Sequence, residues 1–161
     1  MIGDSTVAVR LLIAAGLGAA VGIERELREQ WAGLRTHILV CVGACLFTLM
    51  SAIGFSAFIG GTQKAAANAD VTRIASQVVV GIGFIGGGTI LRQGANVRGL
   101  TTAATLWVTA AIGLAVAAGS YVAAIVATAV AVFTLSGLKP LERWIGRKAK
   151  RAAASSESED A

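Results

Sequence analysis

The sequence is short of charge, and this shortage excludes most soluble folds. Lys, Arg, Asp and Glu together make up 14% of the 161 residues, against about 25% in an average soluble domain. Apolar residues make up 55%, and long stretches carry no charged residue at all. The bilayer is therefore the natural solvent for most of this chain, whose length allows one compact domain.

The sequence also lacks the residue sets that catalysis needs. It holds one His and two Cys, and it contains no Ser-His-Asp set, P-loop or zinc motif. His37, Cys41 and Cys45 share one helix face, where a metal would usually need a fourth ligand. The segment Gly81–Gly86 matches the dinucleotide fingerprint G-x-G-x-x-G, but it lies in an apolar span and no acidic residue follows at the required distance. We predict no enzyme, no cofactor and no metal site.

Uncharged stretches predict about five membrane-spanning helices. The stretch Gly99–Leu138 has no charged residue, and as one helix it would be about twice as long as the ~30 Å hydrocarbon core. It must fold back, and Gly119-Ser120 is the best break. The predicted spans are Val7–Ile23, Ile38–Gly60, Ile74–Leu91, Thr101–Ala118 and Tyr121–Leu138. Polar connections are predicted at Glu24–Thr36, Gly61–Arg73 and Gln93–Gly99.

The predicted fold is all-α, a polytopic transmembrane helix bundle over residues 1–138. Barrel strands would alternate apolar and polar residues, whereas these runs are apolar on every side. Eleven Lys and Arg fall on the side of the C-terminus and three on the other, which predicts the N-terminus outside and the C-terminus in the cytoplasm. The basic and then acidic tail, residues 139–161, is predicted to be disordered. Because the basic residues lie at span ends, the net charge of +5 does not indicate nucleic acid.

Glycines at helical spacing predict close helix packing, since lipid supplies no hydrophobic drive between helices. Gly18 and Gly22 are four residues apart in the first span, and Gly83 and Gly87 are four apart in the third. Gly86 belongs to the same glycine-rich run. Two interpretations stay open for the third span: packing against a neighbour, or a broken helix whose free backbone groups line a polar site.

Polar residues at the start of the third span also have two interpretations. Asp70 is predicted either to cap the helix start or to form, with Arg73 and Gln77, a polar opening on the outer side. Gln77 lies one turn deeper on the face of Arg73, and a buried amide needs partners, so it should face protein or water.

The cytoplasmic side carries the other polar candidates. Glu24, Arg25, Arg28 and Glu29 have the spacing of ordinary i,i+4 pairs. Glu24 directly follows the first apolar run, however, and is expected to face a partner such as Arg35, Arg92 or Arg98 of the same side. An ion pair there would hold helix ends together or bind a solute. Thr101 and Thr102 open the fourth span, where a helix N-cap is the default interpretation. The arginines considered on this side are Arg25, Arg28, Arg35, Arg92 and Arg98.

Several sequence blocks, in order, resemble the MgtC/SapB family of bacterial membrane proteins. These blocks are IERE from Ile23, AGLRTH from Ala32, DVTRIASQ from Asp70, GIGFIG from Gly81 and RGLTTAATLW from Arg98. The resemblance runs from about residue 11 to residue 138. It implies a multi-pass protein of the bacterial inner membrane. Family members are linked to growth in low magnesium, to virulence, and to restraint of the F-type ATP synthase.

The resemblance leaves two functional hypotheses open. The first is a non-enzymatic membrane regulator that acts through helix contacts with a larger membrane complex. The second is a small transporter or channel with a path near the glycine-rich third span. Many family members carry a soluble C-terminal domain of ACT-like type, which this sequence lacks after Leu138, so we expect a short form of the family. Small-residue helix faces leave surface for a homodimer in either case.

Overall fold

The structure is a computed structural model that describes residues 3–58, 64–94 and 96–138. It is mostly helical. In these residues the order of elements is α1 (Asp4–Leu27), α2 (Leu34–Phe58), α3 (Lys64–Gly88), β1 (Leu91–Gln93), β2 (Asn96–Arg98), α4 (Leu100–Ala117) and α5 (Tyr121–Gly137). The predicted tail, residues 139–161, lies outside this description.

Three helices of the described chain, α1, α2 and α4, are long and apolar enough to cross a membrane. Two shorter apolar helical segments cover Ala75–Gly88 in α3 and Tyr121–Gly137 in α5. Large apolar side chains are exposed on the outside of the molecule, among them Leu12, Phe84 and Val122, each at least 72% accessible. Such a surface suits lipid rather than water.

The structure separates α4 from α5 at the break that the sequence predicts. α4 ends at Ala117 and α5 begins at Tyr121. Gly119 adopts φ +78°, a conformation that favours glycine, and the N–H of Ser120 bonds the carbonyl of Ala115 at 2.9 Å. A left-handed glycine followed by this backward hydrogen bond is a common way to end a helix.

The connection between α3 and α4 has more regular structure than the predicted turn. Strands β1 and β2 form an antiparallel hairpin in which Leu91 pairs with Arg98 and Gln93 with Asn96. Gly94, with φ +63°, lies in the tight turn between the strands. The predicted glycine- and asparagine-rich turn is thus present, but its arms pair as short strands.

Two helix starts also differ from the predictions. α3 begins at Lys64 and not near Ile74, because a helix can continue beyond the lipid boundary where water solvates its polar side chains. Asp70 therefore lies inside α3 and does not cap its start. The N-cap of α4 is Gly99, so Thr101 and Thr102 belong to the first turn and are not its cap.

Glycine permits the closest helix contacts, which surround α2. A Cβ atom at Gly18 of α1 would stand 2.8 Å from the Cβ of Cys41, and one at Gly22 would stand 2.8 Å from the Cα of Leu34. A Cβ at Gly113 of α4 would overlap the carbonyl oxygen of Cys41. The helix α2 also contacts α3, and α4 contacts all four other helices, so α2 and α4 together form the centre of the bundle.

The buried apolar residues form two clusters. The larger one joins α1, α2, α4 and α5 and includes Ala14, Cys45, Leu49 and Ile112. The smaller one joins α2, α3 and α4 through Ala44, Ile82, Leu106 and Ala110, together with Ala32 of the connection before α2. Helix α3 is therefore held through the second cluster, on the side away from α1.

Polar contacts distinguish the two ends of the bundle. At one end, Arg10 donates from Nη1 to the Ala117 carbonyl at 2.6 Å and from Nε to the Tyr121 hydroxyl at 3.3 Å. An arginine suits this place, because a helix C-terminus is negative. At the other end α1 finishes and α2 starts. We call it the basic end, since Arg25, Arg28, Arg35, Arg92 and Arg98 belong to the segments that meet there.

Candidate functional site

A buried ionic cluster at the basic end centres on Glu24. This residue is 8% accessible. Its Oε1 accepts a hydrogen bond from Nε of Arg28, the C-cap residue of α1, and another at 3.3 Å from the hydroxyl of Ser136 in α5. Its Oε2 lies 3.7 Å from Nε of Arg25. Two guanidinium groups therefore flank one carboxylate, and the cluster keeps an excess positive charge.

Arg25 and His37 are the other buried members of this cluster. Arg25 is 5% accessible and His37 is 0% accessible, and both lie within electrostatic reach of Glu24. Nδ1 of His37 is 2.8 Å from the carbonyl oxygen of Gly33. That oxygen only accepts, so Nδ1 carries the proton of the neutral ring and Nε2 is an acceptor.

Three buried polar atoms of the cluster have no hydrogen-bond partner among the described residues. They are Glu24 Oε2, Arg25 Nε and His37 Nε2. Buried polar groups are nearly always paired, because leaving one unpaired costs about 1–3 kcal/mol. Buried charged groups with free hydrogen-bonding capacity make this cluster the polar candidate for a functional site in the described residues.

The predicted partner of Glu24 was an arginine from another segment, Arg35, Arg92 or Arg98. The structure instead pairs it with Arg28 and Arg25 of its own helix. The exposed Arg92 donates from Nε to the carbonyl of Gly94 at 3.2 Å, within the hairpin, and Arg35 and Arg98 are exposed. Ser136 is the partner that sequence reasoning missed, since it lies 112 positions away in a run that carries no charge.

The predicted outer group of Asp70, Arg73 and Gln77 lies on α3. The side chains of Arg73 and Gln77 are exposed, and the side chain of Asp70 is outside the description. The carbonyl of Arg73 accepts a hydrogen bond from Ser76 at 2.6 Å. Thr102 is buried and Thr101 is exposed. Neither threonine joins the ionic cluster through any described contact.

Helix α3 is continuous through its glycine run, so the broken-helix interpretation is wrong for this structure. Its side chains divide between three faces. Val78, Ile82 and Gly86 face the bundle, and a Cβ at Gly86 would lie 3.6 Å from the Cβ of Ala103 in α4. A second face, which overlaps the first at Val78 and Ile82, lines a groove beside α2. The third is the open face, which we define as Val80, Gly83, Phe84 and Gly87.

The open face of α3 has no neighbour in the described chain. No atom comes within 4 Å of where a Cβ would stand at Gly83 or Gly87. Phe84 is 86% and Val80 67% accessible. The two glycines thus make no close helix contact here, whereas Gly18 and Gly22 do.

No group of three or more His, Cys, Asp or Glu side chains that could hold a metal ion occurs in the described part of the chain. Cys41 and Cys45 are free and buried. The cluster of Glu24, Arg25, Arg28 and His37 offers one carboxylate, one imidazole and two guanidinium groups, which can bind a ligand or relay charge through hydrogen bonds.

The fold and this cluster define a helical membrane protein whose only buried ionic groups in the described residues are at one end. The chain belongs to the MgtC family, whose model matches residues 11–144. It is 47% identical over 113 residues to "Putative magnesium transporter YhiD" of Escherichia coli, covering 70% of this chain and 51% of that protein. No solved structure matches the chain.

Two relatives carry the family name itself. The chain is 43% identical over 138 residues to Protein MgtC of Brucella abortus, covering 86% of this chain and 53% of the relative. It is 46% identical over 120 residues to Protein MgtC of Salmonella typhimurium, covering 74% and 47% respectively. The chain therefore spans about half the length of the curated relatives it matches.

Proposed function

We propose that this MgtC-family protein is a non-enzymatic, multi-pass protein of the bacterial inner membrane that regulates a larger membrane complex through helix contacts. The open face of α3 is the observation that carries the proposal. An exposed glycine inside a helix costs about 0.5–1 kcal/mol relative to alanine. Gly83 and Gly87 have no neighbour in the described chain that would offset this cost. A helix of another molecule, packed closely against the two glycines, would offset it.

The proposed partner is the membrane sector of the F-type ATP synthase, and the proposed setting is adaptation to low magnesium and virulence. The family resemblance motivates these choices. The names of the relatives, MgtC and a magnesium transporter, support the link to magnesium. The same open face is also the proposed contact of a homodimer, since small residues allow two helices to approach closely.

The test compares two leucine substitutions that both meet open space. Gly83→Leu fills the open face of α3, and Gly16→Leu makes the same change on α1, where no atom lies within 4 Å either. Affinity purification from cells grown in low magnesium should recover ATP synthase subunits with the wild type and Gly16→Leu, and lose them with Gly83→Leu. ATP hydrolysis by membrane vesicles should be higher with Gly83→Leu than with the wild type or Gly16→Leu, because the restraint on the synthase is lost. Equal recovery by both variants would contradict the proposal.

The second candidate function is a small transporter for an ion or solute. The buried atoms of Glu24, Arg25 and His37 that lack a hydrogen-bond partner among the described residues favour it, because polar groups within membrane helices commonly mark a transport path. Purified protein in liposomes is assayed for flux under several ion gradients, with Glu24→Ala and Arg73→Ala as variants. Flux in the wild type that Glu24→Ala abolishes would support transport. No flux under any gradient would reject it in favour of the regulator.

A further inference from the structure

A groove of about 520 Å³ runs between α2 and α3. Its walls are Leu39, Gly43 and Phe47 from α2, and Gln77, Gly81 and Ile85 from α3. Ala110 of α4 also lines it. Neither Gly43 nor Gly81 has any atom within 4 Å of where a Cβ would stand, so the absence of two side chains creates the space between the helices. Its size falls within the ~300–1,000 Å³ of ligand-binding clefts.

The described lining of the groove carries no charged side chain. Its lining side chains are apolar apart from Gln77. The amide of Gln77 forms no hydrogen bond with a described residue, and it offers both N–H donors and a carbonyl acceptor. A site with apolar walls and one neutral amide recognises a long apolar body that carries a hydrogen-bonding group at one end.

The position of Gln77 identifies which end of the ligand is polar. Gln77 and Phe47 line the end of the groove away from the basic end, and Leu39 and Ile85 line the end nearer to it. The sequence places the lipid boundary of the third span near Ile74, about one helical turn from Gln77. That is the depth of the glycerol esters, where a bilayer lipid changes from polar to apolar.

We propose that this groove binds one acyl chain of a bilayer phospholipid, with the Gln77 amide donating a hydrogen bond to the ester carbonyl of that lipid. The chain lies over Gly43 and Gly81 and ends near Leu39 and Ile85. The site is separate from the open face of α3, since Gly83 and Gly87 do not line it. It depends on the membrane location of the protein and not on its proposed partner.

The test uses the protein in bilayer nanodiscs that contain an ester-linked phospholipid with a photoactivatable diazirine on one acyl chain. Cross-linked peptides are mapped by mass spectrometry. In the wild type we expect labelling concentrated on residues 39–47 and 77–85. Gly81→Leu fills the groove and should lower this labelling about tenfold, whereas Gly16→Leu, in equally open surroundings on α1, should leave it unchanged.

A second arm tests the hydrogen bond without relying on the folding of a variant. The matching ether-linked lipid has no carbonyl, so the wild type should label with it about fivefold less, as the loss of one hydrogen bond predicts. Gln77→Leu should label equally with the two lipids. Lipid labelling spread evenly over the helices, or undiminished in Gly81→Leu, would overturn the proposal. So would cross-links between two copies through these segments, which would assign the groove to a second copy of the chain.

Discussion

Glu24 is bound by two arginines of its own helix and by a serine from the end of α5. Sequence reasoning predicted that Glu24 needs a cation, because it follows an apolar run directly. The i,i+4 spacing of Glu24 and Arg28 offers a local pair, but whether Arg35, Arg92 or Arg98 would replace Arg28 depends on how the helices pack. The contact with Ser136 is invisible to any local pattern, as the two residues meet only through the tertiary fold.

The first prediction concerns the charge of Glu24. Glu24→Gln leaves Arg25, whose side chain is 6% accessible, without a counter-ion. We expect the free energy of unfolding to fall by about 3 kcal/mol, as when one partner of a buried pair is removed. Thermal unfolding in detergent measures the effect. Glu29→Gln removes the same charge from an exposed position nearby and should change stability by less than about 0.5 kcal/mol. Equal effects of the two variants would contradict the prediction.

A second prediction concerns the backbone of Glu29. This residue has φ +53°, a left-handed conformation that costs a residue with a side chain roughly 1–2 kcal/mol. Glu29→Gly should therefore raise the free energy of unfolding by up to about 1 kcal/mol. Glu29→Ala keeps the strain and serves as the control. The same detergent unfolding experiment distinguishes them, and no difference between the two variants would count against the argument.

Hydropathy predicts the bounds of the helices only in the apolar parts of the chain. The uncharged runs predict α4 and α5 closely, because Gly119 ends an apolar stretch that is too long for one span. They miss the first part of α3, since Lys64 to Arg73 form polar helix outside the predicted span. They also miss the hairpin of Leu91–Gln93 and Asn96–Arg98, as three residues are too few to show strand alternation.

The contact between α2 and α4 supplies the third prediction. Gly113→Ala introduces a Cβ that would overlap the carbonyl oxygen of Cys41, so the helices must separate. We expect a loss of about 1–3 kcal/mol in the free energy of unfolding. Gly16→Ala is the control, since its Cβ meets open space, and it should gain about 0.5–1 kcal/mol of helix stability. Thermal unfolding of both variants in one detergent measures the two effects. An unchanged free energy of unfolding for Gly113→Ala would contradict this packing.

The whole molecule has two unlike ends, and the fourth prediction is their orientation. Glu29 lies in the connection after α1 at the basic end, and Ser120 lies at the opposite end. A membrane-impermeant maleimide should label Ser120→Cys in intact cells, and label Glu29→Cys only after the membrane is opened. Cys41 and Cys45 are buried, so the unsubstituted protein is the blank. The reverse labelling pattern would place the basic end outside.

The joining of α1 to the last two helices has a consequence for biogenesis. Arg10 leaves the ribosome about a hundred residues before Ala117 and Tyr121, and Glu24 similarly precedes Ser136. We expect the first helix to remain in the translocon or bilayer without these partners until α4 and α5 have been synthesised. The bundle closes only when the final helix arrives, so a nascent chain truncated before α5 would be a substrate for membrane quality control.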